Sequence, residues 1–269
     1  MARSTRSHVA GRLGAFALVL LGTFGTAYAV GEKLPGHSHG AAGHTHTHPS
    51  GGMSTPVPAG FESNGFQLVT DHVKPGIASF HLRGPDGKTV TKFDKVHEAF
   101  LHVIILRPDL SDYHHVHPEV RADGTWDVTL PGTGQWHVVF DSTPTGQSNP
   151  IVVSANMDDE QPVDKVSLPA PNDVVQVAGL TVTRTGFTFA VTNADGSAAT
   201  DLEPYLGQAA HLVAIRQGDL AYTHLHPTDG MAGMFMFGKG ITAPGTYRLF
   251  LQFGHDGQVL LAEFTVVIP

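Results

Sequence analysis

The sequence contains no cysteine. That excludes a disulfide scaffold, a thiolate zinc site, an iron–sulfur cluster and a cysteine-ligated blue copper centre. Any metal held here must use His, Met or carboxylate ligands. Basic residues are also scarce: 16 Lys and Arg stand against 24 Asp and Glu, a formal charge of −8. An acidic surface repels phosphate backbones, so nucleic acid is not an expected partner. No stretch sustains a 3.6-residue apolar period, which argues against helices. The chain also lacks G-x-S-x-G, a Walker loop, G-x-G-x-x-G and a convincing carboxylate pair, and it is not expected to be an enzyme.

The N-terminus reads as a targeting segment. Arg3, Arg6 and Arg12 precede an uncharged apolar run from Leu13 to Val30, within which Ala27-Tyr28-Ala29 is a small-x-small cleavage site. This pattern predicts a cleaved secretory signal. The alternative is an uncleaved anchor, because the run approaches the ~20 residues that cross a bilayer. Either outcome places the remainder outside the cytoplasm, with membrane contact only through this segment.

Residues 31–60 are rich in Gly, Ser, Thr, Pro and His and offer little to bury, which predicts a disordered tether. His37, His39, His44, His46 and His48 recur along it at short intervals. Neutral imidazoles on a flexible chain can wrap Cu(II), Ni(II) or Zn(II) without prior structure. The competing reading is a solvated spacer.

From about Gly65 the texture changes to short apolar runs such as FQLVT, IASFHLR, LHVIILR, TWDVTL and QWHVVF, broken by Gly, Pro, Asn and Asp. These are strands and turns. Offset by 109 residues, the chain matches itself: Phe80 meets Phe189, Asp86-Gly87 meets Asp195-Gly196, and Arg107 meets Arg216. The phrase Y-x-H-x-H-P occurs at Tyr113 and again at Tyr222. After a two-residue slip, Gly134-Gln135-Trp136 falls on Gly245-Thr246-Tyr247. The fold class expected is therefore all-β, with two tandem immunoglobulin-like (cupredoxin-like) β-sandwich domains. Repeat one is assigned to 61–157, an acidic, Pro-containing linker to 158–172, and repeat two to 173–269.

Strand residues i and i+2 share a face. Tyr113, His115 and His117 therefore align in repeat one, and Tyr222, His224 and His226 in repeat two. A third candidate in each comes from another strand: His102 with Ile104 and Leu106, His211 with Val213 and Ile215. Shared apolar neighbours predict that His102 and His211 face inward. The candidate metal ligands are thus the trios His102, His115, His117 and His211, His224, His226, although conserved packing in a duplicated domain would retain the same residues.

Three other features carry less. His97-Glu98-Ala99-Phe100-Leu101-His102 spaces its histidines five apart, unlike a zinc-protease helix. Met234 and Met236 share a strand face, a soft-ligand pattern suited to Cu(I) but equally a core filler. His255 reads as a turn residue.

The phrases VHEAFLHVIILRPDLSDYHHVHP and DLEPYLGQAAHLVAIRQGDLAYTHLHP, with the closing PGTYRLFLQFGHDGQVLLAEFTVVI, resemble a family of exported two-repeat actinobacterial proteins described as secreted or membrane-anchored. The likeness spans 65–269. More distantly it is similar to immunoglobulin-like or cupredoxin-like domains of extracytoplasmic copper-handling proteins, and the resemblance implies a heavy-metal role. It departs from cupredoxins at the missing cysteine. The leading expectation is an extracytoplasmic metal-binding protein, with a copper ion as cofactor, zinc as the alternative, and an envelope protein as partner. The alternative is a non-catalytic cell-envelope interaction module with structural histidines. A pH-responsive envelope protein, drawing on 18 His, is a third.

Overall fold

The structure, a computed structural model, describes residues 56–269 except 75, 159, 160, 162, 163 and 239. The signal or anchor segment and His37, His39, His44, His46 and His48 lie outside the described residues. Both repeats fall in one compact unit. Among the described residues there are eighteen strands and no helix.

Repeat one contains β1 (Glu62–Ser63), β2 (Phe66–Lys74), β3 (Ile77–Arg83), β4 (Phe93–Asp94), β5 (Leu101–Leu106), β6 (His114–Val116), β7 (Thr125–Thr129), β8 (Trp136–Pro144) and β9 (Ile151–Met157). One sheet runs β1-β2-β3-β7; the other runs β4-β8-β5-β6, with β9 also on β8. Repeat two contains β10 (Val174–Val177), β11 (Leu180–Thr185), β12 (Thr188–Thr192), β13 (His211–Arg216), β14 (Tyr222–Leu225), β15 (Asp229–Met231), β16 (Met234–Met236), β17 (Gly245–His255) and β18 (Gln258–Ile268). Its sheets are β10-β11-β12-β16-β15 and β14-β13-β17-β18. All pairings are antiparallel, so each repeat is an immunoglobulin-like sandwich of two sheets.

The period-2 pattern explains each core. On β7, Trp126 and Val128 point in while Asp127 and Thr129 point out. On β18, Leu260, Ala262, Phe264 and Val266 enter the core of repeat two. Phe66, Phe80, Trp126, Trp136 and Phe140 fill that of repeat one. Burying side chains of this size contributes about 1.5–3 kcal/mol each, and with no cysteine in the chain this burial stands without disulfide support.

Strands β5 and β13 depart from simple alternation, since both are buried on both faces. Leu101, Val103 and Ile105 enter the core of repeat one. The other face sends Ile104 and Leu106 into a third core shared with Tyr113, Val139, Val213, Ile215, Tyr222 and Phe250. This core joins the repeats. Tyr113 of repeat one stacks on Phe250 of repeat two, with centroids 4.0 Å apart and planes 10° apart. His102 and His211 are buried, as their apolar neighbours predict. Their apolar face-mates bury against the other repeat, and the histidines follow them.

The duplication is kept in register. Ile104 pairs with His115 and His102 with Asp141; Val213 pairs with His224 and His211 with Gln252. The segment assigned as linker is partly docked: Leu168 packs on the shared core, and the Val166 amide donates to Asp109 Oδ2 at 2.7 Å. Before repeat one, Val57 pairs with Tyr222, which occupies the open edge of β14.

Candidate metal centre

Each trio is assembled from a hairpin and a two-residue turn. In repeat one, β6 carries His115, the chain just beyond it carries His117, and His102 is the second residue of β5. His102 Nδ1 lies 3.2 Å from His115 Nε2, and His117 Nε2 lies 3.2 Å from the same atom. In repeat two, β14 carries His224 with His226 beyond it, and β13 opens at His211, whose Nδ1 lies 3.1 Å from His224 Nε2. His211 and His226 rings are 4.8 Å apart and His224 and His226 rings 4.5 Å.

The two trios are not separate. His102 and His224 rings stand 5.1 Å apart, His115 and His224 rings 5.6 Å, and His102 and His211 rings 6.2 Å. Ring nitrogens of His211, His224 and His226 lie within 4.8 Å of one another, and so do those of His102, His115 and His224. His224 belongs to both groups. The trio of each repeat thus meets the other in one six-histidine cluster at the junction, because the face that bears the histidines is the face that joins the repeats.

Hydrogen bonds set which nitrogen is bare. His102 Nε2 lies 3.0 Å from the Val96 carbonyl and His211 Nε2 lies 2.9 Å from the Tyr205 carbonyl. A carbonyl only accepts, so both Nε2 atoms carry hydrogen and both Nδ1 atoms present lone pairs. The outer partners of the β6 and β14 histidines cross the repeat boundary. His115 Nδ1 lies 2.8 Å from Gln252 Oε1, and His224 Nδ1 faces Asp141 Oδ2 at 3.5 Å. Tyr113 donates to Gln252 at 3.4 Å and Tyr222 to Asp141 at 3.0 Å. The Asp141 carboxylate only accepts, which places hydrogen on His224 Nδ1 and a lone pair on its Nε2, whereas the Gln252 amide leaves His115 open to either tautomer. Bare nitrogens of His211 and His224 therefore face one another at 3.1 Å. Two imidazoles bound to one ion at ~2.0–2.1 Å in tetrahedral geometry would stand about 3.3 Å apart.

Burial keeps His115, His117, His211 and His224 neutral. Desolvation first, then repulsion from His102, lowers His117 to about 4. Desolvation lowers His211 to about 3. His115 and His224 are held well below the ordinary imidazole value by burial and by neighbouring histidines. Neutral imidazole is the metal-binding form, so these rings need release no proton to coordinate. Burial also raises Tyr113 and Tyr222 well above the usual phenol value.

The structure adds members that the sequence reading left out. His97 is not on a helix. With Glu98 it forms the centre of a two-residue turn closed by Val96 and Ala99, at φ of 48° and 65°. Positive φ at both positions defines a type I′ turn, normally filled by Gly, Asn or Asp. His97 lies over His226, with centroids 3.6 Å apart, and 5.8 Å from the His211 ring. Asp141 and Gln252 were also missed, although each is a polar residue directly after an apolar run, in WHVVFDS and RLFLQFG, and the two fall at the same place once the slip is included.

Elsewhere, Met231 and Met236 are exposed while Phe235 and Phe237 are buried. His255 ends β17, 3.5 Å from Asp201 and 3.7 Å from Asp256, so the turn itself is Asp256-Gly257.

A family model described as a domain of unknown function (DUF8832) matches residues 74–158 and again 175–269. The chain belongs to the DUF8832 family. It carries two copies of the domain. No curated protein matches the chain. Among solved structures, the FN1-FN3 domains of chicken CNTN1 are similar at 7% identity and TM-score 0.22, over 80% of this chain and 66% of that one. A two fibronectin type III domain segment of chicken tenascin is similar at 10% identity and TM-score 0.23, over 75% of this chain and 97% of that one. A tetra-tandem repeat from the extending region of a large adhesion protein gives 11% and 0.23, over 76% and 48%. Likeness at these TM-scores says nothing of function.

Proposed function

We propose that this DUF8832 protein is an extracytoplasmic, non-catalytic metal-binding protein. It holds copper between its two sandwiches and collects the ion on the His-rich segment before them. The observation that carries this reading is the pair of bare nitrogens on His211 and His224, 3.1 Å apart at the centre of the six-histidine cluster, while their opposite nitrogens face the Tyr205 carbonyl and the Asp141 carboxylate. Lone pairs at that separation repel unless a cation lies between them, and burial disfavours a proton in that role. All-imidazole coordination suits Cu(II) and Zn(II), and Cu(II) binds nitrogen ligands more tightly. The basic leader and apolar run support an exported location.

The test is thermal unfolding of the full chain with His37, His39, His44, His46 and His48 replaced by Ser, titrated with Cu(II), Cu(I) and Zn(II). An ion that binds only the folded state, at a hundred times its Kd, stabilises by about 2.7 kcal/mol. For a protein of this size that is a rise of about 5–11 °C. Loss of the rise in His224→Ala would support binding at the junction. No rise with any ion would refute it.

A second reading draws on the architecture. Tandem immunoglobulin-like sandwiches are common in cell-surface domains, so a non-catalytic envelope interaction module with structural histidines fits the fold. It expects stability independent of every ion.

A further inference from the structure

The cluster is close to two-fold symmetric in sequence and register, and it departs from that symmetry at two places. The first is behind the β6 and β14 histidines. Asp141 and Gln252 occupy equivalent positions, Asp141 paired across the strands with His102 and Gln252 with His211. Each reaches over the junction, Gln252 to His115 and Asp141 to His224. Their chemistry differs. A carboxylate only accepts, so the nitrogen it faces must carry the hydrogen and Nε2 of His224 must be bare. An amide can turn either its oxygen or its NH₂ toward a ring, so Gln252 allows His115 both tautomers. The carboxylate also brings negative charge against the imidazole, which raises its basicity as a ligand. The Asp141 side chain is 13% exposed and that of His224 5% exposed, so water screens the pair weakly.

The second departure is the turn. Repeat one places His97 at the first turn position, whereas repeat two has Leu206 there, at a similar φ of 50°. His97 projects across the junction to His226 and His211. Keeping a β-carbon residue at φ of 48° costs of order 1 kcal/mol, which the histidine bears where Gly would not. Both departures favour the same half. Repeat two's trio gains a carboxylate behind one ring and a further imidazole beside another, and both come from repeat one.

We propose that the centre holds two inequivalent metal positions. His211, His224 and His226 form the first to fill, with His97 as an added ligand and Asp141 as the positioning residue; His102, His115 and His117, backed by Gln252, form the weaker. The proposal rests on the metal-binding reading above. It assigns the ions an order, and it makes the tight position one that neither repeat completes alone.

The test is titration of the full chain, its five tail histidines replaced by Ser, with Cu(II) in the presence of a competing chelator. Heat of binding and the Cu(II) spin-resonance spectrum are followed together. Two events are expected. Asp141→Asn should weaken the first about 10–100-fold, as loss of a carboxylate behind a ligating histidine does elsewhere, and Asp141→Glu should restore part of it. His97→Leu, which installs the residue repeat two already uses, should weaken the first event and change the spectrum of the first ion. Gln252→Leu should act on the second event only. Ion-free melting of each variant separates lost folding from lost affinity. Two identical events, or Asp141→Asn and Gln252→Leu acting equally on the same event, would overturn the inequivalence and leave metal binding standing. No Cu(II) bound at all would overturn both.

Discussion

The shared core between the repeats makes a prediction that separates a junction from two independent beads. Phe250 is fully buried on the repeat-two face of that core and stacks on Tyr113 of repeat one. Phe250→Ala removes a buried ring, which costs about 3–5 kcal/mol including the cavity left behind. It also forfeits the aromatic pair, worth about 1 kcal/mol more. At ~2–4 °C per kcal/mol for a protein of this size, the melting temperature should fall by about 8–24 °C. Phe264 offers a matched control, since it is equally buried but lies in repeat two's own core against Phe189. Phe264→Ala should lower stability by a similar amount.

The two variants should differ in form. Scanning calorimetry of the parent should show one transition, because the repeats unfold together across a common core. Phe250→Ala should split it in two and weaken copper binding, since the distances between His102, His115 and His224 depend on how the sheets meet. Phe264→Ala should keep repeat one's transition and lower repeat two's. If Phe250→Ala retained one transition and undiminished copper affinity, the junction would not be what positions the histidines.

Other outcomes follow from particular groups. His137, buried on β8 with Nδ1 2.7 Å from Asn156 Oδ1, is lowered from its ordinary value by desolvation. The unfolded chain, with imidazole near 6.5, then takes up more protons than the folded one. Its contribution is complete above pH 6.5 and is lost as pH falls toward the folded value, at up to about 1.4 kcal/mol per pH unit for each buried imidazole. Urea midpoints of the metal-free protein should therefore fall from pH 7 to 5, and His137→Gln should flatten that slope. Gly207→Ala places a β-carbon at φ of +69° and 3.3 Å from the Glu98 carboxylate, so stability should drop by about 1–2 kcal/mol in the same assay. Replacing the five tail histidines by Ser should lower the number of copper ions bound while leaving the metal-free melting temperature unchanged.

Much of the fold was legible because strands report their faces. Alternation in TWDVT and in QVLLAEFTVVI is a local property, and the 109-residue repeat is visible in residues that turns and cores require. The H-x-H spacing likewise puts His115 beside His117 and His224 beside His226 on any strand. LHVIIL and HLVAIR were less informative, since a run apolar on both faces shows that both are covered and not by what.

The sequence by itself determined two sandwiches, their strand faces and the paired histidines, because each depends on neighbours along the chain or on a copied segment. Only the tertiary structure decided that the even face of β5 meets the equivalent face of β13. Through that contact six histidines form one cluster, Gln252 serves His115 and Asp141 serves His224, and His97 reaches His226. Such contacts join residues more than eighty positions apart, and no local period or propensity encodes the partner that will close over an apolar face.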